Sequence, residues 1–204
     1  MEDKVLIIAT GNPGKAEEFK DLFAERGYQI KTLADYPDLE EVEETGQSFE
    51  ENARLKAETI ARQVNQVVIA DDSGLKVDDL GGMPGIYSAR YAGEDKNDAR
   101  NNAKLLADLG EIQNAKRSAH FHCTLVAAYP GWDSLVVEGE LAGQIADMPR
   151  GDNGFGYDPL FYLEDYGKTL AQLDPKEKNK ISHRAQALKA LDRVFDQWLQ
   201  EEGK

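Results

Sequence analysis

The stretch VVIADDSGLKVD, residues 67 to 78, places two adjacent aspartates, Asp71 and Asp72, directly after an apolar run. The apolar run predicts a buried strand, and LKVD predicts a second strand after a turn at DDSG. In open α/β sheets, the carboxyl ends of strands are where ligands commonly bind. The two aspartates are therefore candidates for a functional site, although the same residues also suit a simple Asx turn.

Predicted helices and strands alternate on either side of this stretch, which indicates a single α/β (mixed α+β) domain over residues 1–204, with a mixed central sheet flanked by helices. The other predicted strands are KVLIIAT, YQIKTL, HFHCTLVAAY and SLVVEGELAGQIA, the last two joined by PGWD as a hairpin. The predicted helices begin at Asn12 and Pro13, at a capping box of Ser48 and Glu51, in DKNDARNNAKLLADL and at SHRAQAL. PRGDNGFGYDPLFYL is predicted to be a loop.

Composition excludes several classes of function. Acidic residues outnumber basic ones 38 to 24, giving a net charge of -14. No basic cluster suits a nucleic acid partner, whereas a small polyanion can still bind with a divalent cation and a few lysines. The one cysteine, Cys123, is interpreted as a buried thiol and favours a reducing compartment. The amino terminus matches neither a signal peptide nor a membrane span, so we expect a cytoplasmic protein with no membrane contact.

The segment TGNPGK follows a predicted strand and opens a helix. Backbone N–H groups and the helix dipole favour an anion at such a position, and Lys15 adds a positive charge. The alternative is a capped helix start with a solvated lysine. The pattern is not a P-loop, because Lys15 is followed by Ala16 and GxxxxGK[ST] is absent.

Carboxylates in EETG, residues 43 to 46, complement the aspartates of DDSG. Magnesium prefers oxygen ligands and commonly takes one or two protein carboxylates. Glu44 and one of the aspartates would suffice, and the sequence leaves open whether Glu43 or Glu44 faces the metal.

Two later segments add candidate binding groups. In GDNGFGYD, Phe155 can stack on a nucleobase, or the aromatic side chains of this loop can fill the core. In KNKISHR, His183 and Arg184 fall in a first helical turn, where the dipole disfavours cations unless an anion lies nearby; otherwise they are surface residues. His120 and His122 face one side of a strand, either as a metal pair or as part of a half-exposed face.

The order of TGNPGK, EETG, FEENA, ADDSGL, LGGMPGIYSARYAG, FGYDPLF and ISHRAQAL closely resembles the inosine triphosphate pyrophosphatase (ITPase) family, the non-canonical purine nucleoside triphosphate (dITP/XTP) pyrophosphatases. The resemblance implies an elongated mixed sheet, two lobes around a nucleotide-binding cleft, and a homodimer. It also implies magnesium-dependent hydrolysis of ITP, dITP and XTP to the monophosphate and pyrophosphate, which cleanses the nucleotide pool.

By motif, the resemblance assigns Asp72 as the proton acceptor and a metal ligand, with Glu44 as the second ligand. The residues assigned to substrate are Thr10, Gly11, Asn12, Pro13, Gly14, Lys15, Ser73, Phe155, Gly156, Tyr157, Asp158, Lys178, His183 and Arg184. Two other functions remain open: a pyrophosphatase acting on dUTP or damaged pyrimidine nucleotides, and a nucleotide sensor without catalysis.

Overall fold

The structure is a computed structural model that describes residues 4–24, 26–40 and 42–203. Its strands are β1 (Lys4–Ile8), β2 (Tyr28–Thr32), β3 (Val68–Val77), β4 (Ser118–Ala128), β5 (Leu135–Ile145), β6 (Phe161–Leu163) and β7 (Lys168–Thr169). Its α-helices are α1 (Pro13–Ala24), α2 (Phe49–Val64), α3 (Asp98–Gly110), α4 (Pro175–Ile181) and α5 (His183–Glu202). Among the described residues, no helix is long and apolar enough to cross a membrane.

One mixed sheet contains these strands in the order β2-β1-β3-β4-β5-β6-β7. Strand β1 pairs in parallel with β2 and β3, whereas β6 pairs antiparallel with β5 and β7. The side-chain contacts Thr124–Glu138 and His122–Glu140 run in opposite chain directions, as expected for the predicted hairpin of β4 and β5. The predicted mixed α/β fold is confirmed.

The chain divides into two compact units. The first comprises Met1–Asp72, Cys123–Gly139 and Ala185–Lys204, and the second comprises Ser73–His122 and Glu140–Arg184. Whether they act as the single domain expected over residues 1–204 stays a prediction.

In the first unit, helices cover both faces of the sheet. Phe19 of α1 and Leu191 of α5 pack in a cluster with Leu6 and Ile8 of β1, and this cluster also contains the fully buried Cys123. The intervening Ile7 of β1 packs with α2 instead. Because successive side chains of a strand point to opposite faces, α2 lies on the face opposite α1 and α5.

The second unit has its own apolar core. Its buried residues come from β3, α3, β4, β5 and the chain around β6, and include Leu75, Leu105, Phe121, Ile145 and Phe161.

The predicted turn at DDSG is wrong, because β3 runs without interruption through Asp71, Asp72, Ser73 and Gly74. The strand lies between β1 and β4 in the sheet, and β1 pairs with its first residues, Val68 and Ile69. That tertiary context overrides the turn preference of Asp and Gly. The Asx-turn alternative is wrong for the same reason, and the two carboxylates lie inside a buried strand on alternate faces.

The last third of the chain contains more regular structure than the sequence predicted. Phe161–Leu163 forms β6 inside the predicted loop, and α4 precedes the last predicted helix. Asp174 caps α4 by accepting from Lys176 N, with Pro175 at the first position, a helix-start signal that our reading missed. Ser182 separates α4 from α5, which begins at His183 as predicted.

Helix α2 begins where its sequence predicted, with one difference in the capping contacts. Ser48 Oγ accepts from Glu51 N at 3.1 Å, as an N-cap does. Glu51 Oε2 accepts from Gln47 N at 2.7 Å, one residue earlier than a capping box requires. The cap fixes the start of the helix that carries Asn52 and Lys56.

We expect Ser48→Ala to lower the free energy of unfolding by about 1 kcal/mol, because one helix N–H group loses its acceptor. Urea unfolding followed by circular dichroism measures the change. Ser48→Asp is the control, since Asp also caps helices and should retain most of the stability. Equal losses in both variants would contradict the capping role.

Candidate active site

Asp72 is a buried carboxylate in the first unit, with 9% of its surface exposed. Its Oδ2 accepts from Asn52 Nδ2 at 3.1 Å. Burial and then the charge of Glu44 raise the pKa of Asp72 to about 6, against the opposing effects of Lys56 and Asn52. A carboxyl group with this pKa can accept a proton near neutral pH.

Lys56 joins Glu44 to the strand that carries Asp72. Its Nζ lies 2.5 Å from Glu44 Oε1 and donates to the backbone oxygen of Asp71 at 2.9 Å. Burial lowers the pKa of Lys56, but the charges of Asp71 and Glu44 outweigh it and the net pKa is raised. Lys56 therefore stays charged beside the carboxylates. Lys56 was not predicted from the sequence, where its only signal was its position one helical turn after Asn52.

Glu44 and Glu43 differ in their surroundings. Glu43 is exposed, whereas Glu44 is partly buried, contacts Lys56 and acts electrostatically on Asp72. Of the two, Glu44 is therefore the one that faces the cluster.

Lys15 forms an ion pair with the other aspartate of the strand. Its Nζ lies 2.6 Å from Asp71 Oδ2, and the side chains are 19% and 2% exposed. The alternative of a solvated lysine is wrong. Asp71 and Asp72 thus have different contacts: Asp71 holds a lysine of the TGNPGK loop, and Asp72 contacts α2.

The TGNPGK loop enters α1 through the predicted cap. Asn12 Oδ1 accepts from Gly14 N at 2.9 Å and from Lys15 N at 3.3 Å, and Thr10 Oγ1 accepts from Asn12 N at 3.1 Å. The cap already occupies two N–H groups of the helix start. What the loop can offer an anion is therefore chiefly the Lys15 ammonium group and the helix dipole.

The first unit also suits a magnesium ion. Among the described residues, no group of three or more His, Cys, Asp or Glu side chains is arranged for a metal. Magnesium, however, commonly needs only one or two protein carboxylates. Glu44 and Asp72 are two oxygen donors whose mutual repulsion contributes to the raised pKa of Asp72, and a divalent cation would relieve that repulsion. The residues present fit the ion.

In the second unit, the FGYD loop is organised around Asp158. Asp158 Oδ2 accepts from Phe155 N at 2.9 Å and from Lys178 Nζ at 2.5 Å. Burial raises the pKa of Asp158, while Lys178 opposes the rise. Gly154 has a positive φ, and a Cβ at this position would overlap the Asp158 carboxylate. Asp158 therefore serves to hold the loop and Lys178 together.

The sequence left open whether the aromatic side chains of this loop fill the core or remain available for stacking, and the two side chains differ in this respect. Tyr157 fills the core, and its hydroxyl donates to Ser88 O at 2.8 Å. Phe155 stays 40% exposed, with Lys178 Nζ 4.5 Å from its ring centroid. The ring of Phe155 is thus partly exposed with the Lys178 ammonium group over it, whereas Tyr157 can offer a ligand only its backbone.

Helix α3 holds the same loop at Gly156, which has a φ of +62°. Gly156 N donates to Asp98 Oδ2 at 2.7 Å, and Gly156 O accepts from Asn102 Nδ2 at 2.9 Å. Both backbone groups next to Phe155 are thus fixed from outside the loop. Gly156 was predicted from the sequence as a binding residue, but its contacts with Asp98 and Asn102 were not.

His183 and Arg184 are buried, so their interpretation as surface residues is wrong. Arg184 is 2% exposed and donates from its guanidinium to Ser73 Oγ at 3.2 Å. His183 stacks on Phe121, with ring centroids 4.8 Å apart and planes at 12°. Ser73 and Arg184, both predicted to bind substrate, are thus in contact, and Ser73 is only partly buried. His183, also predicted to bind substrate, contacts Phe121 instead.

The histidines of β4 have separate carboxylate partners. His122 Nδ1 lies 2.8 Å from Glu140 Oε1, and His120 Nε2 lies 3.2 Å from Asp78 Oδ1. His120 is partly exposed and His122 is buried. The arrangement does not support the metal-pair alternative.

We expect Asp72→Asn to be more stable than the parent protein at neutral pH when metal is chelated. The folded-state pKa of Asp72 is about 6, above its ordinary value of 3.8, so stability falls as pH rises from about 4 to about 6. Removing the charge should recover up to about 3 kcal/mol at pH 7.5 and almost nothing at pH 4.

Urea unfolding with EDTA at both pH values measures this difference. Asp38→Asn, at an exposed aspartate, is the control for the substitution itself. A variant at position 72 that is no more stable than the parent at pH 7.5 would contradict the raised pKa.

Several known proteins are similar to this chain in sequence and in fold. The model of the Ham1 family matches residues 6–194. A dITP/XTP pyrophosphatase of Geobacillus kaustophilus is 56% identical, over 98% of each chain. A Streptococcus pyogenes protein of the same name is 56% identical over 95% of this chain, which spans 59% of that longer relative.

Two solved structures have the same fold. The Staphylococcus aureus Ham1 protein superposes with a TM-score of 0.86 at 46% identity, over 95% of this chain and 98% of its own. A HAM1 protein from Coxiella burnetii gives 0.88 at 39% identity, with the same coverage. The resemblance inferred from the motifs is confirmed, and the chain belongs to the Ham1 family.

Proposed function

We propose that this protein is a magnesium-dependent nucleoside triphosphate pyrophosphatase that hydrolyses dITP, XTP and ITP to the monophosphate and pyrophosphate. It is a hydrolase acting on acid anhydrides. The relatives named dITP/XTP pyrophosphatase support the substrate class. The observation that carries the proposal is the buried Asp72, with a pKa of about 6, in one cluster with Glu44 and Lys56.

Asp72 is the proposed general base. Water is a poor nucleophile at neutral pH, and a carboxylate that accepts its proton during attack on the α-phosphorus lowers the barrier. Before a cation binds, Asp72 is mostly deprotonated above pH 6, so its carboxylate is in the form that can accept a proton.

The remaining charges of the first unit suit a leaving pyrophosphate. Glu44 and Asp72 would hold magnesium, which when bound neutralises phosphate charge and orients phosphate oxygens. Lys15 and Lys56 add two ammonium groups, and phosphoryl transfer depends chiefly on such electrostatic stabilisation and positioning. The TGNPGK loop would bind the triphosphate through Lys15.

The second unit supplies groups suited to a nucleoside. The partly exposed ring of Phe155 can stack on a base. His183 and Arg184 are buried donors that can pair with the 6-oxo group of hypoxanthine or xanthine. Adenine presents an amino donor at that position, so a buried donor facing it would be left unsatisfied, at a cost of roughly 1–3 kcal/mol.

The proposed setting is the cytoplasm, where such an activity would cleanse the nucleotide pool. The proposed assembly is a homodimer, which rests on the family resemblance alone.

Pyrophosphate and orthophosphate release from dITP, ITP, XTP, dUTP, GTP and ATP, with magnesium or with EDTA, tests the function. We expect pyrophosphate from the first three nucleotides only with magnesium, and a loss of about 10²- to 10⁴-fold in kcat for Asp72→Asn, the effect of removing a general base. Release of orthophosphate, or full activity in EDTA, would overturn the proposal. Preference for dUTP would support the alternative of a pyrophosphatase acting on pyrimidine nucleotides. Binding without turnover would support a nucleotide sensor.

Arg184→Ala should weaken kcat/KM for ITP and XTP more than for ATP, since it removes a donor that only a 6-oxo purine satisfies. The expected loss of discrimination is at least about 10-fold. Arg193→Ala, at an exposed arginine of the same helix, is the charge-matched control. Equal losses for all three nucleotides would remove Arg184 from base selection.

A further inference from the structure

Asn52 links the loop that carries Glu44 to the strand that carries Asp72. It lies in the second turn of α2 and is 1% exposed. Its Oδ1 accepts from Gly46 N at 2.8 Å, and its Nδ2 donates to Asp72 Oδ2 at 3.1 Å. One amide group therefore contacts both of the segments that provide the candidate metal ligands.

The orientation of this amide is fixed by its partners. Gly46 N is a donor and needs an oxygen, whereas a carboxylate oxygen of Asp72 needs a donor. A flipped amide would place like groups together at both ends. The side chain therefore has one satisfactory orientation, with Nδ2 directed at Asp72.

Gly46 shows how closely the loop approaches this amide. A Cβ at position 46 would lie 2.7 Å from Asn52 Oδ1 and 2.7 Å from Glu51 Cβ, closer than side-chain atoms can pack. Glycine at the end of EETG thus permits the backbone contact, two residues after Glu44.

Asparagine is also an unfavourable choice for a helix interior. It forms helices less readily than alanine, and burying an amide is costly unless its hydrogen bonds are made. Alanine follows directly at position 53 and recurs at position 57 on the buried side of α2. The structure therefore places a polar group among small apolar ones, where both of its ends reach the candidate site.

We propose that Asn52 is a positioning residue for the metal-dependent reaction: its amide holds the Gly46 backbone and the Asp72 carboxylate in one arrangement, so that Glu44 and Asp72 can share a cation. The inference rests on the proposed function. It adds a role to the FEENA segment, to which neither the motif assignments nor the charge cluster gave a chemical task.

Asn101 provides a matched control for the purely structural alternative. It is 2% exposed, and its amide also bridges two groups, both of them backbone. Its Nδ2 donates to Ala89 O at 3.0 Å, and its Oδ1 accepts from Ala92 N at 2.8 Å. It lies on α3 of the second unit. Asn101→Ala removes the same buried amide and the same number of hydrogen bonds, but contacts no candidate metal ligand.

The experiment compares Asn52→Ala, Asn101→Ala and the parent protein by three measurements. These are the dissociation constant for Mn²⁺ by electron paramagnetic resonance without nucleotide, kcat and KM for dITP with saturating magnesium, and the midpoint of urea unfolding. We expect Asn52→Ala to lower both the Mn²⁺ affinity and kcat by about 10- to 100-fold. Removal of groups that orient metal ligands commonly has an effect of this size. Its KM should change less than its kcat, and Asn101→Ala should lose stability alone.

Parental Mn²⁺ affinity and kcat in Asn52→Ala, with stability reduced as in Asn101→Ala, would overturn the inference. If Asn52→Ala does not fold, Asn52→Asp decides, because it keeps the shape and the acceptor for Gly46 N but turns an oxygen toward Asp72. Parental kcat and Mn²⁺ affinity in that variant would likewise overturn it. If the parent itself releases no pyrophosphate, the proposed function fails, and Mn²⁺ binding alone decides the role of Asn52.

Discussion

The structure depends on placing two carboxylates inside a central strand. Asp71 and Asp72 lie in β3, which has neighbouring strands on both sides, and each is at least nine-tenths buried. A buried charge is very costly unless it is paired and hydrogen-bonded. The surrounding elements answer this constraint: α1 contributes Lys15 to Asp71, and α2 contributes Asn52 to Asp72 and Lys56 to the intervening backbone.

The two aspartates have different partners. Asp71 is held in an ion pair with Lys15, whereas Asp72 accepts a hydrogen bond from the neutral amide of Asn52. Asp71 has a full positive charge 2.6 Å away, which neutralises it. Burial and then the charge of Glu44 raise the pKa of Asp72, and the charge of Lys56 and the amide of Asn52 offset only part of the rise. In the proposed function, this raised pKa suits Asp72 to act as the proton acceptor. Such a site is stable only because the neighbouring residues of the sheet and α2 hold it in place.

Much of the fold and many candidate residues could be predicted from sequence because local signals were strong. Asn12 with Pro13, and Ser48, mark helix starts in any context, and the alternation in β4 and β5 marks strands. DDSG was misread because its residues favour turns locally, while its conformation is set by strands distant in sequence. Asn52 and Lys56 were missed because an amphipathic helix does not reveal which of its polar residues point inward. Asp98 and Asn102 were missed because their partner, Gly156, is more than 50 residues away in the sequence.

The position of Cys123 has a further chemical consequence. It is the chain's one thiol, and it is fully buried among apolar side chains. Cysteines in such surroundings are inert, because the reactive thiolate is disfavoured and reagents cannot reach the sulfur. Reagents that modify accessible sulfhydryls would therefore leave the sulfur of the folded chain unchanged.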